Sequence, residues 1–291
     1  MNEDVFRAPT LVLGGTGKTG GRLVRRLTRR DVPVRMGSRS AGVPFDWEQS
    51  ATWGPVLDGA RAVYIAYQPD LAVPGTADTI GELTALAAGC GVRQVVLLSG
   101  RGEPEAEACE KVFASTCASA GVTWTVLRCN WFSQNFSEGF LLGPVLDGEV
   151  ALPAGDVGEP FLDADDIADV AAAVLTRDGH ASQVYELSGP RALTFAEAVE
   201  EIAAASGRDI RFAHVTPGEY AAAMTADGTP ADVVELVTHL FATVLDGRNA
   251  RPADGVQRVL GRPPREFAAY ARDTAAAGVW DPAVGDRNIR R

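Results

Sequence analysis

Apolar residues in the first half of the chain fall into short unbroken runs, at 11–13, 62–66, 95–98 and 124–127, with a mixed run at 32–36. Runs this short, bounded by glycine, proline and polar residues, read as strands. Between them the apolar positions recur at helical spacing: Leu23, Val24 and Leu27, then Ile80, Leu83, Leu86 and Ala87 ahead of Gly89. A further helix is expected over about 105–120. Strands that are apolar on both faces and alternate with helices predict a doubly wound parallel sheet covered on both sides, an α/β fold.

The pattern loosens after residue 130. A helix opens at Asp163 and runs through Leu175, and 184–187 reads as another strand. Thr194 and Glu197 form a capping box that starts the next helix. Residues 231–245 are amphipathic, with Val234, Val237, Phe241, Val244 and Leu245 as the apolar stripe. The expected organisation is a nucleotide-binding domain of residues 1–130 plus about 160–187. A smaller, mainly helical substrate lobe of about 131–159 and 188–291 would lie over its crevice.

Polar chemistry sharpens the first strand. Residues 11–13 run into Gly14-Gly15-Thr16-Gly17-Lys18-Thr19-Gly20, and a helix follows. In a strand, tight turn and helix of this kind, backbone N–H groups and the helix N-terminus hold a pyrophosphate. Gly14 permits the turn, Gly17 the approach of phosphate and Gly20 the packing of helix on strand; Thr16, Lys18 and Thr19 complete the candidate cradle. At the end of the second strand stand Ser38 and Arg39, with no carboxylate nearby except Asp31, ahead of the strand. A guanidinium and a hydroxyl suit a ribose 2′-phosphate, where a carboxylate would select the 2′-OH. The expected cofactor is therefore NADP(H), lying across the carboxyl ends of the strands at Gly14–Gly20, Ser38–Arg39, Ala66 and Tyr67, Ser99 and residues 129–131.

Charge and cysteine usage narrow the class. The net charge is −11, which argues against nucleic acid as a partner. The arginines Arg22, Arg25, Arg26, Arg29 and Arg30 are explained by a solvated helix face and a favourable helix end. Of 27 basic residues only Lys18 and Lys111 are lysines, and Lys18 falls inside the phosphate loop. No apolar run of signal or membrane length appears, and the four cysteines form no paired motif. The expectation is a cytoplasmic protein with a small-molecule substrate, without membrane or metal, for which a homodimer is left open. The carboxylates of 163–169 are read as helix N-terminal charges, not as a metal site.

On these residues the chain resembles the NmrA-like branch of the atypical short-chain dehydrogenases. The carriers are the loop Gly14–Gly20, the strand 95–99 and, most specifically, Trp124-Thr125-Val126-Leu127-Arg128-Cys129-Asn130-Trp131-Phe132-Ser133-Gln134-Asn135-Phe136. Residues 160–168 and 260–267 are similar as well. The resemblance implies a Rossmann fold, an NADP(H) cofactor and a nicotinamide pocket lined by the Trp-Phe-x-Gln-Asn-Phe stretch. Trp131, Phe132 and Phe136 would stack on a flat substrate, while Asn130 and Gln134 would hydrogen-bond its carbonyl oxygen.

The reaction machinery departs from the wider superfamily, where a Tyr-x-x-x-Lys pair and a strand-end Ser do the chemistry. Ser99 takes the Ser position and Lys111 that of the Lys, but Glu107 stands where the Tyr would. Ser99 and Lys111 are the candidate catalytic residues; the competing reading pairs Glu107 with Lys111 on a solvated helix face. Two main functions follow. One is an NADPH-dependent oxidoreductase acting on a small, planar, electron-poor substrate, quinone-like or carbonyl-like. The other is a non-catalytic NADP(H)-binding redox sensor that regulates a protein partner, and a third option is a non-redox enzyme such as an isomerase.

Overall fold

The computed structural model describes residues 8–282; most of the polar N-terminal stretch lies outside them. In chain order the elements begin with β1 (Thr10–Leu13), α1 (Lys18–Thr28), β2 (Val34–Gly37), α2 (Trp53–Leu57), β3 (Ala62–Ile65) and α3 (Thr76–Gly89). Then come β4 (Gln94–Gly100), α4 (Pro104–Ser119), β5 (Thr123–Cys129), α5 (Asn135–Glu138), α6 (Leu142–Asp147) and β6 (Glu149–Leu152). The remainder is α7 (Ala164–Thr176), β7 (Gln183–Leu187), α8 (Phe195–Ser206), β8 (Arg211–His214), α9 (Pro217–Ala226), α10 (Ala231–Val244), α11 (Gly255–Leu260) and α12 (Phe267–Ala276).

The chain divides into two compact units. The first is Met1–Cys129, Ala164–Leu187 and Gly255–Arg262; the second is Asn130–Asp163, Ser188–Asp254 and Pro263–Arg291. The first holds a parallel sheet in the order β2-β1-β3-β4-β5-β7. Alternation along the strands divides its faces. Leu11, Leu13, Val63, Ile65, Val95 and Leu97 enter one core with Val56, Ile80, Leu83 and Phe113 of α2, α3 and α4. On the other face Tyr64 donates to Thr19 of α1 (3.0 Å). The doubly wound sheet expected from the apolar runs is present.

The second unit is mainly helical, with β6 and β8 paired in a short parallel ribbon that the apolar pattern did not predict. Its core gathers Phe136, Phe161, Phe195, Phe241, Phe267, Tyr270 and Trp280. The capping box of α8 is formed, Thr194 accepting from the Glu197 amide while the Glu197 carboxylate accepts from the Thr194 amide.

Two packing expectations need correction. Leu86 is 38% exposed, unlike Ile80, Leu83 and Ala87; at 100° per residue it lies roughly 100° from the middle of that buried face. The α1 arginines do not all face solvent. Arg26 donates to Asp165 (2.7 Å) and Asp169 (2.5 Å), and Arg22 lies 3.5 Å from Asp165. Arg262 takes Asp166 and Asp169, and in the second unit Arg265 takes Asp163. The acidic start of α7 is thus neutralised by arginines more than by its helix dipole.

Candidate nucleotide site

Four strand ends of the first unit come together. β1 pairs with both β2 and β3, and Leu13 sits opposite Gly37 on one side and Ile65 on the other. Ile65 in turn pairs with Leu97. The loop after β1, residues 38–39, Ala66 and Tyr67, and Ser99 therefore lie along one edge of the sheet. From β1 the chain winds one way to β2 and the other way from β3, so this edge carries the topological switch point where open α/β sheets bind ligands.

The glycine loop behaves as its spacing requires. Gly14 has φ +77°, and a Cβ there would lie 3.1 Å from the Ala66 carbonyl oxygen, so the loop and the end of β3 are in contact. At Gly20 a Cβ would fall 2.2 Å from the Gly14 oxygen, which fixes that position as glycine by helix–strand packing. Gly17 is exposed at the N-cap of α1. No side chain caps this helix and its first turn holds no acidic residue, so neither a cap nor a carboxylate neutralises the positive end of the helix dipole. Thr16 is exposed beside them and Lys18 half-buried, while the Thr19 hydroxyl is turned inward to Tyr64.

At the end of β2, Ser38 is half-buried, with its hydroxyl 3.4 Å from that of Ser40. Arg39 is exposed, and its guanidinium makes no hydrogen bond or ion pair among the described residues. Ala66 is buried, and Tyr67 is half-buried against Trp47 with ring centroids 4.7 Å apart.

Around Ser99 the structure departs from the sequence reading. The Ser99 hydroxyl donates to Glu110 Oε1 at 2.6 Å. Glu110 is 4% exposed and is gripped by Arg128, whose Nε reaches Oε1 and Oε2 (3.0 and 2.9 Å) and whose Nη2 reaches Oε2 (2.7 Å). Glu107 turns to Arg128 (3.7 Å), not to Lys111. Lys111 is exposed and makes no described ion pair; on α4 it lies about 140° from the middle of the face formed by Ala106, Cys109, Glu110, Phe113 and Cys117. The Glu107–Lys111 pair is corrected, and the residue that meets the strand-end Ser is Glu110. Its signal was available: a carboxylate interrupting an otherwise apolar stripe.

A second carboxyl group occupies the same edge. Glu103, the N-cap of α4, does not cap its helix; its carboxyl folds back over Gly100, where a Cβ would fall within 1.9 Å of it. Its Oε2 is buried with no N–H or O–H reaching it, and its hydrogen-bonding neighbour is the carboxyl of Asp70. Two carboxylates hydrogen-bond only if one keeps a proton. Burial, then the adjacent Asp70, push Glu103 up to about 9, and burial raises Asp70 as well. A carboxyl raised this way stabilises the fold fully at acid pH and loses that contribution as pH climbs from about 4.5 toward 9. Thermal melts across that interval are expected to show the wild type losing stability relative to Glu103→Gln, which keeps a neutral group there. Parallel pH curves for the two proteins would show that the pair carries no shared proton.

The residues expected to meet a substrate lie in the second unit, and two have other work. Asn130 and Gln134 are both 2% exposed. Asn130 Nδ2 donates to the buried Glu159 (2.7 Å), which also accepts from the Trp131 amide (3.1 Å). Gln134 Nε2 donates to Asp163 (2.7 Å). Each amide thus gives an N–H to a buried carboxylate. Phe136 is likewise core, among Phe161, Phe195 and Phe267. Trp131 is half-buried against Phe195 and Phe241. Phe132 is half-buried outside that aromatic cluster, its backbone bridged to Leu162.

No protein-family model matches the chain. It is 31% identical to the uncharacterized oxidoreductase YesF of Bacillus subtilis, over 94% of this chain and 96% of that protein. It is 30% identical to an NAD(P)H azoreductase of Xenophilus azovorans, over 92% and 98%. The fold matches the NADPH-dependent quinone oxidoreductase QOR2 of Escherichia coli in complex with NADPH, with a TM-score of 0.75 at 21% identity, covering 91% of this chain and 99% of that one. With the glycine loop, the strand order and these relatives in agreement, the chain belongs to the NmrA-like family of oxidoreductases, within the atypical short-chain dehydrogenases.

Proposed function

We propose that the chain is an NADPH-dependent oxidoreductase that reduces a small, planar, electron-poor substrate, quinone-like or carbonyl-like. The observation that carries this reading is the uncapped, acid-free start of α1 framed by Gly14, Gly17 and Gly20. Those residues fit a dinucleotide: the amides of the first turn would hold the pyrophosphate, and Arg39 with Ser38 would meet the 2′-phosphate. When bound, the nucleotide supplies hydride. The chain's part is to orient it and to place a flat acceptor, for which Trp131 and Phe132 are the proposed aromatic surfaces. The azoreductase and quinone-reductase relatives support an acceptor of this class.

We place the protein in the cytoplasm with a small-molecule substrate and no nucleic-acid partner; the net charge of −11 and four free cysteines support this. Among the described residues no helix is long and apolar enough to cross a membrane. The sensor reading is favoured by one observation, the exposure of Lys111 beside a Glu in place of Tyr. Following the absorbance of reduced nicotinamide against a panel of quinone and azo acceptors tests the proposal. Turnover supports the enzyme, whereas tight NADPH binding without oxidation of any acceptor would favour the sensor.

The choice of NADPH makes a separate prediction. Arg39→Ala is expected to weaken NADPH binding by about 1.5–3 kcal/mol, the scale of a hydrogen bond to a charged group, and to leave NADH nearly unchanged. Calorimetry giving equal NADPH and NADH affinities for the wild type would overturn the 2′-phosphate assignment.

A further inference from the structure

We infer that Glu110 is a positioning residue that fixes Ser99 as a hydrogen-bond acceptor, so that the end of β4 takes a donor group of the nucleotide and does not itself protonate a substrate. This rests on the NADPH reading above.

The reasoning is an account of one proton. A serine hydroxyl has one hydrogen and two lone pairs, and an ionised carboxylate only accepts. The 2.6 Å contact from Ser99 Oγ to Glu110 Oε1 therefore commits the hydroxyl hydrogen to Glu110. Arg128 donates to both Glu110 oxygens, a charge-assisted fork that uses the carboxylate as an acceptor on each of them. Arg128 is in turn enclosed by acid: Glu107 at 3.7 Å and Glu186 at 3.8 Å, with Arg101 on Glu186 at 3.0 Å. With its hydrogen spent, Ser99 offers only lone pairs. The groups of a nicotinamide nucleotide that match are a ribose hydroxyl or the carboxamide N–H. In the wider superfamily arrangement a strand-end Ser works beside a Tyr acid; here that position holds Glu107, and the hydrogen bond runs inward to α4.

The test is a double-mutant cycle on NADPH affinity, read by the fluorescence of the reduced nicotinamide, with Ser99→Ala, Glu110→Gln and the two combined. Ser99→Ala is expected to weaken binding about tenfold, the worth of one hydrogen bond in a buried site. Ser99→Thr, which keeps the hydroxyl, is expected to retain most of the affinity. Glu110→Gln is expected to weaken binding in the Ser99 background, because an amide can turn its N–H toward the hydroxyl and reverse its direction. In the Ser99→Ala background it should change nothing further. That non-additivity is what a purely structural Glu110 would not give. Should Glu110→Gln fail to fold, Glu110→Asp, whose shorter side chain withdraws the acceptor from Ser99, takes its place in the cycle with the same expected non-additivity. NADPH affinity unchanged in Ser99→Ala, or effects that simply add, would overturn the inference and leave the NADPH reading standing. A wild-type protein that does not bind NADPH would overturn both.

Discussion

Gly17→Val is expected to leave the protein folded and to remove nucleotide binding. Gly17 has φ −81° and ψ −180°, extended backbone that any residue adopts, and it is exposed. Among the described residues a Cβ would meet only the Gly14 oxygen, at 3.3 Å, a contact that a small shift relieves. The valine methyl groups would instead stand over the first-turn amides, in the space a pyrophosphate needs. Losing two charge-assisted hydrogen bonds at about 1.5 kcal/mol each gives roughly 3 kcal/mol, a hundredfold in affinity. Titration of the folded variant with NADPH, alongside a melting curve, reads both halves of the expectation. Wild-type affinity in that variant would move the phosphate site away from this loop. Gly20 is not equivalent, since a Cβ there would meet backbone at 2.2 Å and would test packing before ligand.

Arg128→Ala is expected to destabilise the protein by about 3–5 kcal/mol, the usual cost of stranding one member of a buried ion pair. The guanidinium is the only cation described on Glu110. Without it a carboxylate 4% exposed keeps only the Ser99 hydroxyl. Denaturant unfolding of the two proteins measures the difference. A loss of less than about 1 kcal/mol would mean that Glu110 reaches water by a small rearrangement, as exposed pairs do.

Much of this architecture was legible because local and global preferences agree. The runs at 11–13 and 95–98 are apolar on both faces, so they fit only a sheet covered on both sides, and they are β1 and β4. Thr194 and Glu197 carry their capping instruction within four residues. What stayed hidden depends on distance in the chain or on a small rotation. The partners of Asn130 and Gln134 are carboxylates 29 residues away in both cases, and no local pattern announces such a pair. Glu107 and Glu110 differ by less than one helical turn, and only the orientation of α4 decides which of them meets Ser99. β6 and β8 have four residues each, and β8 is half-exposed, so neither shows a clear period.

The order in which the chain visits its two units bears on how it is made. The first unit is interrupted twice, by Asn130–Asp163 and Ser188–Asp254. Arg26 emerges from the ribosome 139 residues ahead of Asp165, and the edge strand β7 and helix α11 arrive later still. A chain released after β5 carries five of the six strands but neither α7 nor β7, so the sheet face that α1 and α7 share is only partly covered and β5 is an open edge. Such contacts, distant in sequence, slow folding and expose apolar surface during synthesis. Neither unit is a continuous segment that can be cut out and expressed by itself, and the first lacks its last helix until α11, which begins at Gly255, has been made.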